Sequence, residues 1–349
     1  MKKKEGKVIL GMSGGVDSTA AALLLQQQGY EVIGLHFDVL GRGEDSADCL
    51  AAKQAAEKLD ISLVYRNVAK EFEESVIQYF QREYLKGRTP NPCVFCNKEM
   101  KFQILLKEAD AMNAAYIATG HYAQVVFKNG QYYLKKGLNE KKDQSYVLWR
   151  LEQKELSRLL LPLGTFTSKE EIRKILHIEN FDNAQKKDSQ EICFIPDNDY
   201  VLYLKEHMRS LPKAGNFVNQ KGEILGRHRG IINYTIGQRK GLGITFGKPM
   251  FVTKINAEDN TITLGENHDL MTDLIISSHN NFINQKLEEE REYQAKIRYA
   301  SILSKCKIKL KDDLVYTYFQ NPQRAATPGQ SIVWYDEQYL IGGGIIENI

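Results

Sequence analysis

Three rhythms of apolar and polar residues succeed one another along the chain. Up to residue 121, apolar runs of strand length alternate with Ala/Leu-rich or amphipathic runs of helix length. Residues 7–10, 32–37, 62–68 and 116–119 read as strands, and residues 19–28, 46–59, 72–85 and 99–113 as helices. The near-continuous apolarity of 32–37 marks a strand buried on both faces. Strands and helices alternating at this spacing predict βαβ crossovers and a parallel sheet. Beyond residue 121 come an Asn129-Gly130 hairpin signal, a helical stretch at 146–151 and a capping box at Ser168-Lys169-Glu170-Glu171. A polar loop carrying Lys186, Lys187, Asp188 and Ser189 follows. Pro196 and Asp197 then close a first domain expected over 1–204. Residues 205–270 are Gly-rich with short segments and a hairpin at 251–264, which predicts a small central domain. Residues 271–349 alternate over short strands with turns at 311–313 and 336–337, the pattern of an antiparallel barrel. The expected class is α/β, with a parallel-sheet domain, a central domain and a C-terminal antiparallel β-barrel.

Composition narrows the function classes without choosing one. Forty-seven Lys and Arg face 44 Asp and Glu, a net charge of +3, so any nucleic-acid surface must be local. The basic loops that could supply one carry Lys135-Lys136, Lys141-Lys142, Lys186-Lys187, Arg227, Arg229 and Arg239-Lys240. Tyr122, Tyr132, Tyr133 and Tyr234 lie near them in sequence, and such mixtures suit a base drawn out of its stack. Plain solvated surface is the competing reading for each lysine. No apolar run approaches membrane-spanning length, and Met1-Lys-Lys-Lys-Glu5 leads into a strand with no signal-peptide core behind it. Five scattered cysteines, an odd number, fit a reducing cytoplasm. A cytoplasmic protein is the expectation.

The richest chemistry lies where the first strand meets the first helix. Gly11-Met12-Ser13-Gly14-Gly15-Val16-Asp17-Ser18 is a turn whose backbone N–H groups and following helix N-terminus converge on one spot, which favours phosphate. The lysine of a Walker A loop is absent, and Asp17 stands before Ser18 instead. In a parallel sheet, ligands sit beyond the carboxyl ends of the strands. That rim would also carry Phe37, Gly120 and His121. Phe37 and Gly120 are candidates for the adenine and ribose side of a nucleotide, with core packing the competing reading for Phe37.

A second cluster is Asn91-Pro92-Cys93-Val94-Phe95-Cys96, ahead of an expected helix. A thiol at a helix N-terminus would be activated as a thiolate. A zinc knuckle needs four ligands, and the chain has no second pair. Redox or sulfur chemistry remains, with Cys193, also on a polar loop, as partner.

The turn at 11–18 resembles the SGGxDS loop of the PP-loop ATP pyrophosphatases (adenine nucleotide alpha hydrolase-like proteins), which cleave ATP between the α- and β-phosphates. With residues 87–102, Ala118-Thr119-Gly120-His121-Tyr122, Lys142-Asp143-Gln144-Ser145, Lys187-Asp188-Ser189, Ile192-Cys193-Phe194-Ile195, residues 235–243 and Thr327-Pro328-Gly329-Gln330 in this order, the chain resembles the bacterial tRNA-specific 2-thiouridylase family from about residue 6 onward. The resemblance implies ATP with Mg²⁺ as cofactors and adenylation of the C2 oxygen of a wobble uridine. It implies Cys193 as persulfide carrier, Cys96 as nucleophile and a transient Cys96–Cys193 disulfide. Asn91, Pro92 and Cys93 match the segment touching the target base. His121, Lys142, Asp143, Gln144, Arg298, Tyr299 and Gln330 match positions contacting tRNA, and the barrel would be a tRNA-binding domain. The implied partners are a tRNA anticodon stem-loop and a persulfide donor, either a cysteine desulfurase or a sulfur relay protein. At 93 the familiar family form has Asp, so Cys93 brings a further possibility: a [4Fe–4S] cluster on Cys93, Cys96 and Cys193. A small-molecule PP-loop ligase and a non-catalytic RNA-binding protein are the readings from other classes.

Overall fold

A computed structural model describes residues 6–181, 192–245, 247–284, 287–289 and 291–348. The chain divides into two compact units, residues 1–75 with 93–190 and 338–341, and residues 76–92 with 191–337 and 342–349.

In the first unit, β1 (Lys7–Gly11), β2 (Glu31–Asp38), β3 (Leu63–Asn67), β4 (Tyr116–Ala118) and β7 (Leu159–Leu160) form a parallel sheet in the order 3-2-1-4-7. The order reverses beside β1, because β2 and β4 are its two neighbours, pairing at Lys7 with Glu31 and at Val8 with Tyr116. This is the topological switch point where open α/β sheets bind ligands. Helix α1 (Val16–Gln27) buries Ala20, Ala21, Ala22 and Leu25 against the sheet; its small residues let it lie close. Gly29, at φ +91°, follows its last turn. Helix α2 (Ala47–Lys58) packs alongside through Cys49, Ala52, Ala55 and Ala56. The strands β5 (Ala123–Lys128) and β6 (Gln131–Lys136) form the expected hairpin, with Asn129 and Gly130 both at positive φ. Tyr339 and Leu340 extend it on the β6 side.

Two expected helices are interrupted. The run at 72–85 becomes α3 (Ala69–Phe72), a π-turn at Glu73–Ile77, and α4 (Gln78–Leu85). The other becomes α5 (Pro92–Cys96), a π-turn at Asn97–Lys101 and α6 (Phe102–Ala111). The stretch at 146–151 is only a 3₁₀ turn at Ser145–Leu148. Short helix α7 (Gln153–Leu156) precedes β7, and α8 (Lys169–Ile178) starts at the predicted cap, where the Glu171 N–H donates to Ser168 Oγ at 3.3 Å.

In the second unit, α4 and α9 (Tyr200–His207) accompany a central sheet of β8 (Gly215–Val218), β9 (Ile224–His228), β10 (Phe251–Asn256) and β11 (Thr261–Gly265), ordered 10-11-8-9. A barrel of β12 (Met271–Phe282), β13 (Tyr293–Lys296), β14 (Ser304–Lys311), β15 (Leu314–Arg324), β16 (Ser331–Asp336) and β17 (Tyr339–Ile346) runs 12-15-14-13-16-17. It closes through Ser277–Ile346 and Phe282–Gly342 pairs, which leaves the barrel without open edges. Trp334 is fully buried inside, its indole N–H donating to Thr317 at 3.0 Å. Among the described residues, no helix is long and apolar enough to cross a membrane.

Candidate active site

Three loops at the carboxyl edge of β1, β2 and β4 converge without side chains in the way. Gly14 sits at φ +69°, and a Cβ there would lie 2.5 Å from the Ala52 nitrogen of α2, so only glycine fits. A Cβ on Gly11 would reach within 3.3 Å of the Phe37 ring, and one on Gly120 within 3.0 Å of the Asp17 backbone. The buried His36 donates from Nδ1 to the Met12 carbonyl at 3.0 Å, fixing the entry to the turn. Ser18 and Thr19 brace the turn from inside by donating to the Gly15 carbonyl at 3.2 and 2.9 Å. The Ser13 N–H donates to Ser18 Oγ at 3.2 Å, while Ser13 itself is exposed. Gly11, Met12, Ser13, Gly14 and Gly15 thus lead into α1 at Val16, with Ser18 in its first turns, while Phe37 lies close to Gly11 and Gly120 close to Asp17. The donor set and the close backbone approach fit the phosphates of a nucleotide.

Asp17 takes a different part from a bare phosphate-turn residue. Its carboxylate accepts from Tyr122 Oη at 2.8 Å and from Lys169 Nζ at 2.9 Å. Lys169 is nearly buried, 9 % exposed at its side chain, against 35 % for Asp17. The aspartate therefore ties α1 to the segment after β4 and to the first turn of α8. Sequence reading missed Lys169; the only signal was its place beside the capping serine. It also missed Asp38, whose buried carboxylate accepts from the Leu40, Arg42 and Gly43 N–H groups and from Tyr65 Oη at 2.7 Å. Burial pushes that carboxyl up, but these bonds prevail and hold it below its usual range.

The thiol segment departs from expectation. Cys96 closes α5, which opens with Pro92 at its first position, and leads without a break into the π-turn and α6. Cys93 and Cys96 stand one turn apart on the same helix face. Cys93 is exposed and Cys96 half-buried, yet the protein around them displaces enough water to push both thiols up. The Lys101 charge opposes this at both, and at Cys96 the Lys101 backbone N–H does so as well. Burial thus works against the thiolate expected there, and the Lys101 cation works for it. The π-turn that carries Lys101 is locked in place. Asn97 Nδ2 donates to the Val147 carbonyl at 3.0 Å, and Lys98 pairs with Glu152 at 2.7 Å and Glu155 at 3.1 Å. Arg150 pairs with Glu99 at 2.8 Å and lies over the Phe95 ring. His121 joins this cluster, stacked on Phe102 and hydrogen-bonded to Thr119 at 2.8 Å. Burial, aided by Lys101, lowers its imidazole to about 3, so it is neutral near pH 7.

In the second unit, Cys193 is exposed on a turn anchored by its buried neighbours. Phe194 packs edge-on against Phe80 and Tyr203, each at 5.3 Å. The preceding Lys186, Lys187, Asp188 and Ser189 lie outside the described residues. No disulfide joins the described cysteines, and no group of three His, Cys, Asp or Glu among the described residues could hold a metal ion. Cys93 and Cys96 lie in the first unit and Cys193 in the second.

Several residues matched to RNA prove to be engaged by the protein. Asp143 is buried and accepts from the Gly137 and Ser145 N–H groups and the Ser145 hydroxyl. Gln144 accepts from the Tyr122 N–H at 2.9 Å. Tyr122 and Tyr234 are both buried, the latter against Phe217, and neither presents a ring for a base. Gln330 donates to the Thr89 and Pro90 carbonyls. Lys141, Arg239, Lys240, Arg298 and Tyr299 are exposed, and Lys142 is half-buried.

A parallel sheet with a Ser-Gly-Gly turn at its switch point, followed by a small sheet and a closed barrel, defines an α/β protein with appended β domains. Family models match all three parts: a tRNA methyl transferase HUP domain over residues 6–197, a tRNA methyl transferase PRC-barrel domain over 202–266, and an aminomethyltransferase beta-barrel domain over 272–346. The tRNA-specific 2-thiouridylase MnmA 2 of Caldanaerobacter subterraneus subsp. tengcongensis is 46% identical over 360 residues, 99% of each chain. MnmA of Clostridium acetobutylicum is 47% identical over 353 residues, 98% of this chain and 99% of that one. Among solved structures, the NH3-dependent NAD synthetase of Campylobacter jejuni matches with a TM-score of 0.35 at 15% identity, over 52% of this chain and 69% of that one. The U34-tRNA thiolase NcsA of Methanococcus maripaludis, solved with its [4Fe-4S] cluster, matches with a TM-score of 0.33 at 19% identity, over 49% and 55%. The chain belongs to the MnmA family of tRNA-specific 2-thiouridylases.

Proposed function

We propose that this protein is an ATP-dependent tRNA 2-sulfurtransferase that thiolates the wobble uridine. The observation that carries the reading is identity of 46–48% to 2-thiouridylases along essentially the whole chain. The turn at 11–18 supports ATP binding, with Ser13 and the backbone of Gly14 and Gly15 receiving phosphate oxygens and Phe37 and Gly120 bounding the nucleoside. Mg²⁺ bound with the nucleotide would neutralise charge on the polyphosphate. The uracil C2 oxygen attacks the α-phosphorus, pyrophosphate leaves, and C2 acquires AMP as leaving group.

Cys193 carries the sulfur as a persulfide, loaded by a donor protein. Its terminal sulfur attacks C2. The Cys96 thiolate then attacks Cys193 Sγ, forming the Cys96–Cys193 disulfide and leaving both electrons on the transferred sulfur, which expels AMP to give the thiocarbonyl. A dithiol reductant resets the pair. Because the resting Cys96 thiol is pushed up, it must lose its proton during the reaction, and the Lys101 charge and N–H favour the anion. Neutral His121 shares the Lys101 environment and contacts the tRNA in this reading, while Asn91, Pro92 and Cys93 touch the target base. Exposed Arg239, Lys240, Lys141, Arg298 and Tyr299, with Lys142, engage the anticodon stem-loop. The protein works in the cytoplasm, where its thiols stay reduced between turnovers.

Mass spectrometry of wobble nucleosides from cells lacking this chain tests the reading. Loss of 2-thiouridine, restored by the wild-type gene and not by a Cys96→Ser copy, is expected. Unchanged 2-thiouridine in the deletion would assign the protein elsewhere.

A further inference from the structure

The segment that enters the thiol helix is gripped by the barrel of its own unit. Gly329, at φ +90°, comes so close that a Cβ on it would lie 3.0 Å from both the Thr89 nitrogen and its carbonyl oxygen. The Thr89 N–H donates to the Pro328 carbonyl at 2.8 Å. Gln330 Nε2 donates to the Thr89 carbonyl at 2.9 Å and the Pro90 carbonyl at 3.3 Å. On the other side, Arg88 pairs with Glu83 at 2.8 Å and with Glu347 at 2.5 Å, and donates to the Ile346 carbonyl at 3.2 Å. Glu347 in turn accepts from Ser278 of β12. Arg88 is only 13 % exposed at its side chain, so this pairing is mostly shielded from solvent. Gly87, at φ +70°, rests on Ile255. Four consecutive residues are thus fixed before Asn91, and Pro92 opens α5 directly after it.

We propose that Gln330 and Arg88 are positioning residues for the segment that opens the thiol helix: the barrel fixes the backbone of residues 87–90, from which Asn91 and Pro92 lead into α5. The proposal rests on the thiolation reading and changes the part Gln330 plays in it. Its amide hydrogens are used on Thr89 and Pro90, so in the free protein it acts on the backbone that leads into Asn91 and Pro92. Gln330→Met keeps the length and loses both donors. Arg88→Lys keeps the charge and loses the fork that spans Glu83, Glu347 and the Ile346 carbonyl.

The test uses full-length protein and three readouts. These are the iodoacetamide alkylation rate of Cys96 without tRNA, the Kd for unmodified tRNA, and the single-turnover thiolation rate with persulfide-loaded enzyme. Loss of two hydrogen bonds should change Cys96 alkylation in Gln330→Met by about fivefold or more. Single-turnover thiolation should fall by about tenfold while the tRNA Kd stays within about twofold. Arg88→Lys should move the same readouts in the same direction. A weakened tRNA Kd with unchanged Cys96 alkylation in Gln330→Met would overturn the proposal and make Gln330 an RNA contact. Unchanged alkylation in both variants would overturn it equally. Wild-type enzyme that yields no 2-thiouridine defeats the thiolation reading instead, and the alkylation rates still report on the grip. Should Gln330→Met prove unfolded by circular dichroism, the folded Arg88→Lys variant decides alone.

Discussion

The phosphate turn and the thiol helix belong to the same unit, and they are prepared in opposite ways. The turn stands ready: Ser18 and Thr19 hold its shape, Gly14 brings backbone close, and a helix N-terminus supplies positive potential without rearrangement. The thiol helix is geometrically locked through Asn97, Lys98 and Glu99 but electrostatically held back, since its surroundings favour the neutral thiols. In the proposed reaction the turn receives an anion from outside, while at the thiol helix the protein's own anion has to be created during the reaction. On that proposal the arrangement would keep Cys96 from reacting before substrate arrives.

The largest effects should come from the thiols. Cys96→Ser and Cys193→Ser should each leave no detectable 2-thiouridine in a reaction with persulfide donor. Thiolation by either would dissolve the contrast by removing the thiols from the chemistry. Next, Ser13→Ala should slow tRNA-dependent pyrophosphate release by roughly ten- to a hundredfold, with thermal stability unchanged. Asp17→Ala is expected to do the same and also to destabilise the fold by about 2 kcal/mol, because Lys169 loses its anion; Asp17→Asn separates the two effects. Equal melting temperatures for Asp17→Ala and wild type would show that the Lys169 pair is not structural.

Proton linkage sharpens the comparison further. Burial favours neutral Cys96, so its alkylation rate should keep rising above the pH where an ordinary thiol has saturated. Lys101→Met should displace that profile further upward. His121 has its folded value near 3 against 6.5 for an ordinary histidine, so the folded state binds fewer protons than the unfolded chain between those values. Stability should therefore be complete above about pH 6.5 and fall as pH drops toward 3, and His121→Gln should flatten that limb in urea titrations. Smaller still, neutralising Arg239-Lys240 or Lys141-Lys142 should lower the magnitude of the log–log salt slope of tRNA binding by about 0.7–0.9 per lost phosphate contact, leaving ATP affinity unchanged. Cys93→Asp should have the least effect, retaining substantial thiolation, since two thiols suffice for the exchange. Combined loss of activity and of about four irons per chain from anaerobically purified Cys93→Ser protein would instead restore the cluster reading.

What was legible in the sequence follows from the range of the interactions. The strands of the parallel sheet, the Asn129-Gly130 hairpin and the Ser168 cap depend on neighbours within a few residues, and each appears where its pattern places it. The two-residue strand β7 and the twelve-residue β12 were not foreseen. Leu159–Leu160 is too short to show a period, and β12 shows no clean alternation, with register shifts after Thr272 and Ser278. The turn at 11–18 was readable because its shape is carried by consecutive backbone. The state of Cys96 was not, because it depends on a π-turn and on burial that no local pattern announces. Lys169 reaches Asp17 across 152 residues, and Gln330 reaches Thr89 across 241. Such pairings exist only once the chain has folded.

The π-turn at Asn97–Lys101 has a consequence for the history of the chain. A π-turn is an α-helix with one residue too many, accommodated as a local bulge. The bulge absorbs that residue locally, so the helical faces on either side, Pro92–Cys96 and Phe102–Ala111, keep the phase of an unbroken helix. Removing one residue from it would leave Cys93 and Cys96 pointing as they do and would take away the wide turn from which the Lys101 N–H favours the Cys96 anion. The length of this stretch therefore bears on how readily the second cysteine loses its proton and not on where it points.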